Sequence, residues 1–401
     1  MKKRLLEKIN RFCSYLTDWE NKREYYIKEF LPQIVDYNFS GLNSEARILF
    51  LEIREETNAE EWKNIINIII KVKEEYIIII KNNFEKPFIE LQKKYKFEGF
   101  IHTTSFENFI KIYKNKKLYS RNYLENNHIN FEDIANQDVV TKQKKEHDYV
   151  RFYFRPKTPT NYRNEGIKCT KSLNKKNCID LGNGIHKDEE YNKQQSANPV
   201  VMIFNYSIAQ NKNCKFKQSN KMNQELVNSI QELENWDLIF AEGKYEDDIR
   251  KEYEKPFRMA EFLYPDFIET KEIKKIVFRS KCDKERAIQI LGNDNRFTVD
   301  TNYFCNNYLY VKDYTLFRHA TSLKFIIDYN IGNQLYKDNV TLKDYKHEII
   351  VYKGNKKINN YQNPNFNEQH TQSIFLIEDN FDWDYMCYYI NNFECIRMYN
   401  D

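Results

Sequence analysis

The chain contains 401 residues, of which 41% are hydrophobic, 15% aromatic and 30% charged, and this supply of apolar side chains excludes a wholly disordered protein. The whole chain holds only 9 glycines and 8 prolines, which excludes collagen-like and low-complexity architectures. The 63 lysines and arginines barely exceed the 59 acidic residues, so the net charge of +4 indicates no class of partner by itself.

The 8 cysteines form no CxxC pair, which argues against a zinc ribbon and against a disulfide framework. The longest apolar runs, at 65–70 and 77–80, are far shorter than the roughly 20 residues of a membrane-spanning helix. We therefore expect a cytoplasmic protein with reduced thiols, no bound metal and no association with a membrane.

Residues 1–95 are predicted to form a helical N-terminal region. Apolar residues recur there at helical spacing, first at Leu5, Ile9, Phe12 and Leu16. The region carries no motif with a chemical role, so we interpret it as a helical bundle or interaction module.

Residues 96–305 follow a different pattern, in which short strand-like runs alternate with helical segments. Strands are predicted at 99–104, 149–155, 199–206 and 273–278, and helices at 106–116, 129–140, 222–234 and 283–291. This alternation indicates an α+β domain.

Residues 306–401 continue with strand-like runs that are joined by turns rich in Asn, Lys and Tyr. The predicted strands lie at 308–311, 325–328, 347–353, 373–378 and 387–390. We interpret this part as a small mixed α/β C-terminal extension without a chemical signature.

Positive charge is concentrated in residues 141–176, which hold 11 basic and 3 acidic side chains with aromatic residues between them. Lysine and arginine neutralise phosphates and flat rings stack on bases, so this composition is typical of a groove for single-stranded nucleic acid. The alternative, which we weight equally, is a solvated basic loop on a strand whose aromatic rings lie in the core.

Two groups of residues have types that suit catalysis. His102 ends a predicted strand next to Thr103 and Thr104, where a side chain can reach a cleft, although a lone histidine is more often structural. Glu261 lies within an apolar run and needs a partner if it is buried. It either faces a cleft as a proton acceptor or pairs with Arg258 on an edge strand.

A third group, Asp237, Glu242 and Lys244, has a spacing that would suit a metal-dependent nuclease, but the acidic residues that follow favour an exposed helix start. The chain contains no GxGxxG, P-loop or GxSxG motif, which disfavours Rossmann-type, Walker-type and α/β-hydrolase sites. The residues alone predict an α+β domain with a cleft near a basic aromatic strand.

Three motifs in this order resemble the DarT family of bacterial toxins, which use NAD to ADP-ribosylate nucleic acid bases. They are His102-Thr103-Thr104 with Asn108, the run YVRFYFRPKTP at 149–159, and Trp236-Asp237 followed by RMAEFL at 258–263. The resemblance covers about half of the chain, residues 98–305. It implies an ADP-ribosyltransferase-like fold, whose split β-sheet core binds NAD without a Rossmann loop.

The resemblance also implies site residues by motif position. Glu261 falls on the catalytic glutamate, which would hold the ribose 2′-OH and help to deprotonate the attacking base, with Arg258 beside it. The implied NAD-binding residues are His102, Thr104, Asn108, Arg121, Arg151, Tyr153 and Arg155. The implied nucleic-acid-binding residues are Lys157, Tyr162, Arg163, Lys244, Arg250 and Lys255.

This sequence departs from the family pattern in two ways. Residues 130–138, where the family often places an arginine that clamps the NAD phosphates, contain none, and Arg121, Arg151 and Arg163 are the alternatives. The insertion at 164–197 and both terminal regions have no counterpart in the compact toxins.

The leading hypothesis is a toxin of a toxin–antitoxin or anti-phage defence system that transfers ADP-ribose from NAD to a base in single-stranded DNA, without a metal. The resemblance also implies a cognate protein antitoxin. RNA as the acceptor is an alternative within the same chemistry. A catalytically inactive nucleic-acid-binding component of a defence complex is an alternative from another class.

Overall fold

The computed structural model describes residue 52 and residues 84–131, 146–168, 197–221 and 224–400, the last range with short gaps at 334, 336–338, 363, 368–370 and 379–381. The chain divides into two compact units, Met1–Glu90 and Leu91–Asp401. Residues 84–95 and residue 52 are helical, and the rest of the predicted helical region at 1–95 lies outside the described residues. The division into three domains stays a prediction.

A seven-stranded sheet and a two-stranded sheet form the first half of the second unit. The strands are β1 (Phe100–Ser105), β2 (Lys117–Tyr119), β3 (Tyr149–Tyr153), β4 (Pro199–Phe204), β5 (Lys215–Lys217), β6 (Glu261–Pro265), β7 (Phe267–Glu269), β8 (Ile273–Phe278) and β9 (Phe297–Val299). The large sheet has the order β5-β6-β3-β1-β4-β8-β9, and β2 pairs with β7. Only the β8–β9 pair is parallel among these described strands.

Helices flank these sheets. They are α1 (Phe106–Asn115), α2 (Arg121–Asn126), α3 (Pro159–Asn164), α4 (Trp236–Ile239), α5 (Asp248–Glu254) and α6 (Lys281–Leu291). Ser105 and Ser280 cap α1 and α6 by accepting a hydrogen bond from the backbone N–H of the third helical residue, which ends the preceding strand and fixes the helix start. The predicted helices at 106–116 and 283–291 are confirmed apart from their ends.

The predicted helix at 222–234 is wrong for its described part. Residues 224–229 are not helical, and only the single 3₁₀ turn Ile230–Glu232 follows. Ser229 and Glu232 form a capping box, but Leu233 is already extended, so the cap closes one turn and no more. The predicted helix at 129–140 lies mostly outside the described residues, and 129–131 are not helical.

The alternating pattern of 149–153 separates the core from the site. Val150 and Phe152 are buried, whereas Tyr149, Arg151 and Tyr153 are half-buried on the opposite face. On the core face the ring of Phe152 contacts Phe204 of β4 and Phe262 of β6, and the rings of Phe100 and Phe262 stack 4.0 Å apart. Each of the two interpretations of the basic aromatic strand therefore holds for part of it, because its alternate residues pack in the core or face the site.

The C-terminal extension contains far more strand than a mixed α/β segment. Its strands are β10 (Tyr310–Arg318), β11 (Ser322–Asn330), β12 (His347–Lys353), β13 (Lys356–Gln362), β14 (Asn365–Asn367), β15 (Gln372–Glu378), β16 (Tyr385–Ile390) and β17 (Phe393–Tyr399). They form two four-stranded sheets with the orders β10-β11-β15-β14 and β13-β12-β16-β17. Alternate residues of both sheets meet in one apolar core, which includes Phe325, Val351 and Tyr388.

His347 makes the stability of the C-terminal sheets depend on pH. Its Nε2 donates to the carbonyl oxygen of Leu342 at 2.7 Å, which leaves Nδ1 to accept from the Tyr388 hydroxyl. Burial lowers the pKa of His347 to about 4, so the fold favours the neutral ring. The unfolded ring has a pKa near ~6.5, so this stabilisation is present above that pH and is lost as the pH falls towards 4.

We expect the wild-type protein to lose about 2 kcal/mol more unfolding free energy between pH 7 and pH 5 than a His347→Gln variant does. Urea denaturation of both proteins at the two pH values measures the difference. Equal losses in the two proteins would show that His347 is not the titrating group.

No helix in the described part of the chain is both long and apolar enough to span a membrane.

Candidate active site

Three neighbouring strands place charged side chains on one face of the large sheet. Opposed residues of antiparallel strands point to the same face, and Glu261 on β6 opposes both Tyr153 on β3 and Lys217 on β5. Arg151 lies two residues before Tyr153, so its side chain shares this face. The phenylalanine core covers the other face, and it makes the positions of these strands rigid.

Arg151 binds the carboxylate of Glu261, which is fully buried. Nη2 of Arg151 lies 2.7 Å and 2.8 Å from the two carboxylate oxygens, and Nε lies 3.1 Å from Oε1. Burial lowers the pKa of the guanidinium, but the charge of Glu261 opposes this effect and the net direction is upward. The alternative in which Glu261 pairs with Arg258 on an edge strand is wrong, because β6 lies between β5 and β3 and Arg151 is the partner.

A second carboxylate, Glu146, also approaches Arg151. Its Oε2 lies 3.4 Å from Nη2 of Arg151, and its Oε1 lies 2.6 Å from Nζ of Lys217. The side chains of Glu146 and Lys217 are only 11% and 3% exposed, so water screens this pair little. Lys217, Glu146, Arg151 and Glu261 thus form a row of alternating charges, and their opposite charges balance.

Tyr153 lies half-buried beside this row of charges. Burial, followed by the negative charge of Glu261, raises the pKa of its phenol to about 12. The hydroxyl therefore keeps its proton at neutral pH and is available as a hydrogen-bond donor.

His102 is held in one tautomer by the backbone of β3. Its Nδ1 lies 3.0 Å from the carbonyl oxygen of Arg151, and because a carbonyl oxygen can only accept, Nδ1 carries the proton. Burial lowers the pKa of His102, which favours the neutral ring. Nε2 is then an unprotonated acceptor, suited to a hydroxyl or an amide N–H.

A cavity of about 280 Å³ opens beside this histidine. Strand β1 contributes His102 and Thr104 to its wall, helix α1 contributes Asn108, and helix α2 contributes Arg121. Arg151 lines it from β3 and binds Glu261, which is not itself among the lining residues.

The cavity wall is cationic and partly aromatic. Its cationic side chains are Lys111, Lys117, Arg121 and Arg151, and its aromatic rings are Tyr119, Phe131 and Tyr149. None of the lining residues that the structure describes carries a carboxylate. Such a wall suits a ligand that combines negative charge with flat rings.

The family model described as "ssDNA thymidine ADP-ribosyltransferase, DarT" matches the chain over residues 101–182 and 183–311, which is more than half of it. The chain belongs to the DarT family. The resemblance inferred from the sequence is thereby confirmed, and with it the prediction of an ADP-ribosyltransferase that uses NAD as a substrate.

Solved DarT structures are similar to parts of the chain at low identity. Thermus sp. 2.9 DarT in complex with NAD+ is 18% identical, with 51% of this chain and 96% of that chain covered and a TM-score of 0.36. The same protein in complex with ADP-ribosylated ssDNA is 17% identical, with 51% of this chain and 95% of that chain covered and a TM-score of 0.38. Thermosipho africanus DarTG in complex with ADP-ribose is 17% identical, with 51% of this chain and 50% of that chain covered and a TM-score of 0.36. No curated protein matches the chain.

The structure brings together most of the NAD-binding residues that the DarT resemblance implies. His102, Thr104, Asn108, Arg121 and Arg151 all line the cavity. Tyr153 and Arg155 do not. Arg155 is buried outside the cavity wall, where its guanidinium donates to the carbonyl oxygens of Pro156 and Ala241. It therefore ties the end of the DarT strand motif to the segment that follows α4.

Arg258, predicted to be catalytic, is buried away from the carboxylate of Glu261. It donates to Oε2 of Glu254 and to the carbonyl oxygen of Gly243, both at 2.8 Å, and its guanidinium lies over the Tyr245 ring. These contacts fix the backbone just before Glu261, so the described geometry gives Arg258 a supporting position.

The residues predicted to bind nucleic acid do not form a simple basic surface. Lys157, Tyr162, Lys244, Arg250 and Lys255 are exposed and Arg163 is half-buried. Segment 241–255 contains six acidic residues against four basic ones. Within it, Arg250 pairs with Glu254. Phosphate attraction alone would therefore not hold DNA against this segment.

The three residues whose spacing would suit a nuclease, Asp237, Glu242 and Lys244, lie exposed on the surface. Asp237 is exposed and pairs with Lys94 at 2.9 Å and with the Tyr95 hydroxyl at 2.8 Å. Glu242 and Lys244 are exposed as well. Within the described ranges no cluster of three His, Cys, Asp or Glu residues could hold a metal ion.

Sequence reasoning missed four of the charged residues around the site. Lys111 lies one helical turn after Asn108 on α1, and that spacing was a usable signal for a shared face. Lys117 follows the end of the same helix. Glu146 and Lys217 are 71 residues apart in the chain, and nothing local in the sequence indicates that they meet.

Proposed function

We propose that this DarT-family protein transfers ADP-ribose from NAD to a thymine base in single-stranded DNA and releases nicotinamide. The description of the family supports the acceptor. The observation that carries the proposal is the buried Glu261 carboxylate, held by Arg151, which is itself a lining residue of a cationic cavity of about 280 Å³.

The residues of the cavity fit NAD. Its pyrophosphate carries two negative charges, and Lys111, Lys117 and Arg121 supply positive charge along one wall. The aromatic rings of Tyr119 and Phe131 provide flat surfaces for an adenine or a nicotinamide ring. His102 offers Nε2 as an acceptor for a ribose hydroxyl or for the nicotinamide amide.

In the proposed reaction, Glu261 holds the 2′-OH of the nicotinamide ribose. The bond from C1′ to nicotinamide breaks, and nicotinamide leaves with the bonding electrons as a neutral molecule. A base nitrogen then bonds to C1′ and gives its proton to the Glu261 carboxylate. Positive charge develops at C1′ in the transition state, and a fixed carboxylate nearby stabilises it without a cost for reorganisation.

Measuring the mass of an oligonucleotide acceptor after incubation with NAD tests this function directly. Purified protein would be incubated with isotope-labelled NAD and with one of three oligonucleotides: single-stranded DNA that contains thymidine, the same DNA without thymidine, or RNA. We expect a mass gain of one ADP-ribose on the first oligonucleotide alone. A mass gain on the RNA oligonucleotide alone would identify RNA as the acceptor instead of DNA. No mass gain on any of the three oligonucleotides would overturn the proposed activity.

Arg121 is proposed to bind the NAD phosphates, because it lines the cavity, where its guanidinium lies over the Phe131 ring and pairs at 3.3 Å with the exposed Glu125. We expect Arg121→Ala to raise KM for NAD about tenfold and to leave kcat nearly unchanged, since a phosphate contact is made equally in the ground and transition states. Arg318→Ala, an exposed arginine of the C-terminal sheets, is the matched control. A fall in kcat without a change in KM would place Arg121 at the reacting bond instead.

The biological context stays a proposal. We propose that the protein acts as a toxin and that a cognate protein antitoxin restrains it, which rests on the family resemblance. The N-terminal region at 1–95 and the C-terminal extension are proposed to serve regulation or partner binding, since the family match runs from residue 101 to residue 311.

A further inference from the structure

Two carboxylates approach one guanidinium in the row of charges that includes Arg151. Glu261 makes three short contacts with Arg151, whereas Oε2 of Glu146 lies 3.4 Å from Nη2. This oxygen is buried, and no described residue donates a hydrogen bond to it. The other oxygen of Glu146 is held by Lys217 at 2.6 Å. One oxygen of Glu146 is therefore fixed in place and the other faces Arg151.

The resting arrangement opposes the proposed role of Glu261. Arg151 contacts both carboxylate oxygens of Glu261, and its positive charge offsets the negative charge that would stabilise C1′. The carboxylate of Glu261 is fully buried and does not line the cavity, whereas Arg151 binds this carboxylate and is itself a lining residue. Because the carboxylate of Glu261 is fully buried, its neighbours must rearrange before the ribose 2′-OH can bind there, and Arg151 is the neighbour that is bonded to both oxygens.

Moving Arg151 away from Glu261 breaks three charge-assisted hydrogen bonds, and because its side chain is only 33% exposed, water replaces them in part, which costs free energy. Glu146 removes this cost. A movement of about 0.6 Å would shorten its 3.4 Å contact with Nη2 to the ~2.8 Å that is typical of a charge-assisted hydrogen bond.

We propose that Glu146 is a positioning residue that accepts Arg151 when NAD enters, and so frees Glu261 for the ribose. Lys217 fixes the carboxylate of Glu146 and balances its charge, which keeps the acceptor in place. This inference rests on the proposed function. NAD phosphate is the competing acceptor for Arg151, and the test below separates the two.

The test compares two double variants that both remove the Glu146–Lys217 ion pair. In Glu146→Gln with Lys217→Met, the amide oxygen can turn to Arg151 and accept a hydrogen bond. In Glu146→Met with Lys217→Met, residue 146 can accept nothing. Neither variant buries an unpaired charge at these two positions, so both are expected to fold, and matched thermal melts verify it.

Nicotinamide release with the DNA acceptor gives kcat and KM for NAD. We expect kcat of the methionine variant to lie at least tenfold below that of the glutamine variant, with KM values within about twofold of each other. Equal kcat values for the two variants would overturn the inference. They are expected if the Glu146–Lys217 pair is only structural, or if Arg151 moves to an NAD phosphate instead of to Glu146. Activity of the wild-type protein would still uphold the proposed function in that case. A wild-type protein without activity would instead overturn the proposed function, and the inference with it.

Discussion

Glu261→Gln is expected to lower kcat for nicotinamide release and for ADP-ribosyl transfer by about a hundredfold to a thousandfold. The substitution keeps the shape of the side chain but removes the negative charge that stabilises C1′ as nicotinamide leaves. The loss of one fixed electrostatic contact to a transition state has this magnitude. The initial rate of nicotinamide release at saturating NAD measures it.

Glu348→Gln is the matched control for this variant. Glu348 is also buried, at 9% exposure, and pairs with Lys346 and Lys357 in the C-terminal sheets, outside the cavity wall. It should keep wild-type kcat if loss of a buried, ion-paired carboxylate has no general effect. A Glu261→Gln protein that transfers ADP-ribose at the wild-type rate would remove Glu261 from the mechanism.

Arg151→Met is expected to lower the free energy of unfolding by about 3 kcal/mol, because it leaves the fully buried carboxylate of Glu261 without its guanidinium. The value lies at the low end of the range for buried pairs, since the Arg151 side chain is itself 33% exposed. Urea denaturation at pH 7 measures the change.

The double variant Arg151→Met with Glu261→Gln separates this cause from lost packing. Removing both charges leaves no unpaired ion at positions 151 and 261, so most of the lost stability should return. If the double variant is as unstable as Arg151→Met alone, the stability comes from packing of the arginine stem and not from the ion pair.

Local features of the sequence predicted a large part of the fold. Alternation in 149–153 separated the core face from the site face of β3, and the strand at 347–353 has the predicted bounds. Ser280 caps α6 near its predicted start. The helix at 222–234 is predicted wrongly, because the carboxylate of Glu232 accepts hydrogen bonds from the backbone N–H groups of Asn228 and Ser229 and closes a single local turn instead.

The candidate site was predictable only where a motif marks it. Glu261 and His102 stand within motifs that resemble the DarT family, and the structure brings their strands together. The partner of Glu261 was not predictable in the same way, because Arg151 lies 110 residues away in the chain and was considered only as a phosphate ligand. Its contact with Glu261 depends on the pairing of β3 with β6, which no local pattern encodes.

The C-terminal sheets show the same limit. Their strands were recognised as short apolar runs, yet the pairing of eight strands into two sheets around one core depends on contacts distant in sequence. Arg286 of α6 joins this extension to the active-site half. It donates to Glu394 on β17 at 3.0 Å and to Glu107 at the start of α1 at 3.1 Å. The helix that lines the cavity is therefore anchored to both parts.

The central claim is that NAD binds in this cavity with its nicotinamide ribose at Glu261. A crystal structure of the Glu261→Gln protein soaked with NAD tests it most directly, because this variant should bind the substrate without consuming it. The account predicts the pyrophosphate beside Arg121 and Lys111, and the 2′-OH of the nicotinamide ribose within hydrogen-bond distance of residue 261. NAD bound elsewhere on the protein, with residue 261 still covered by Arg151, would contradict the account.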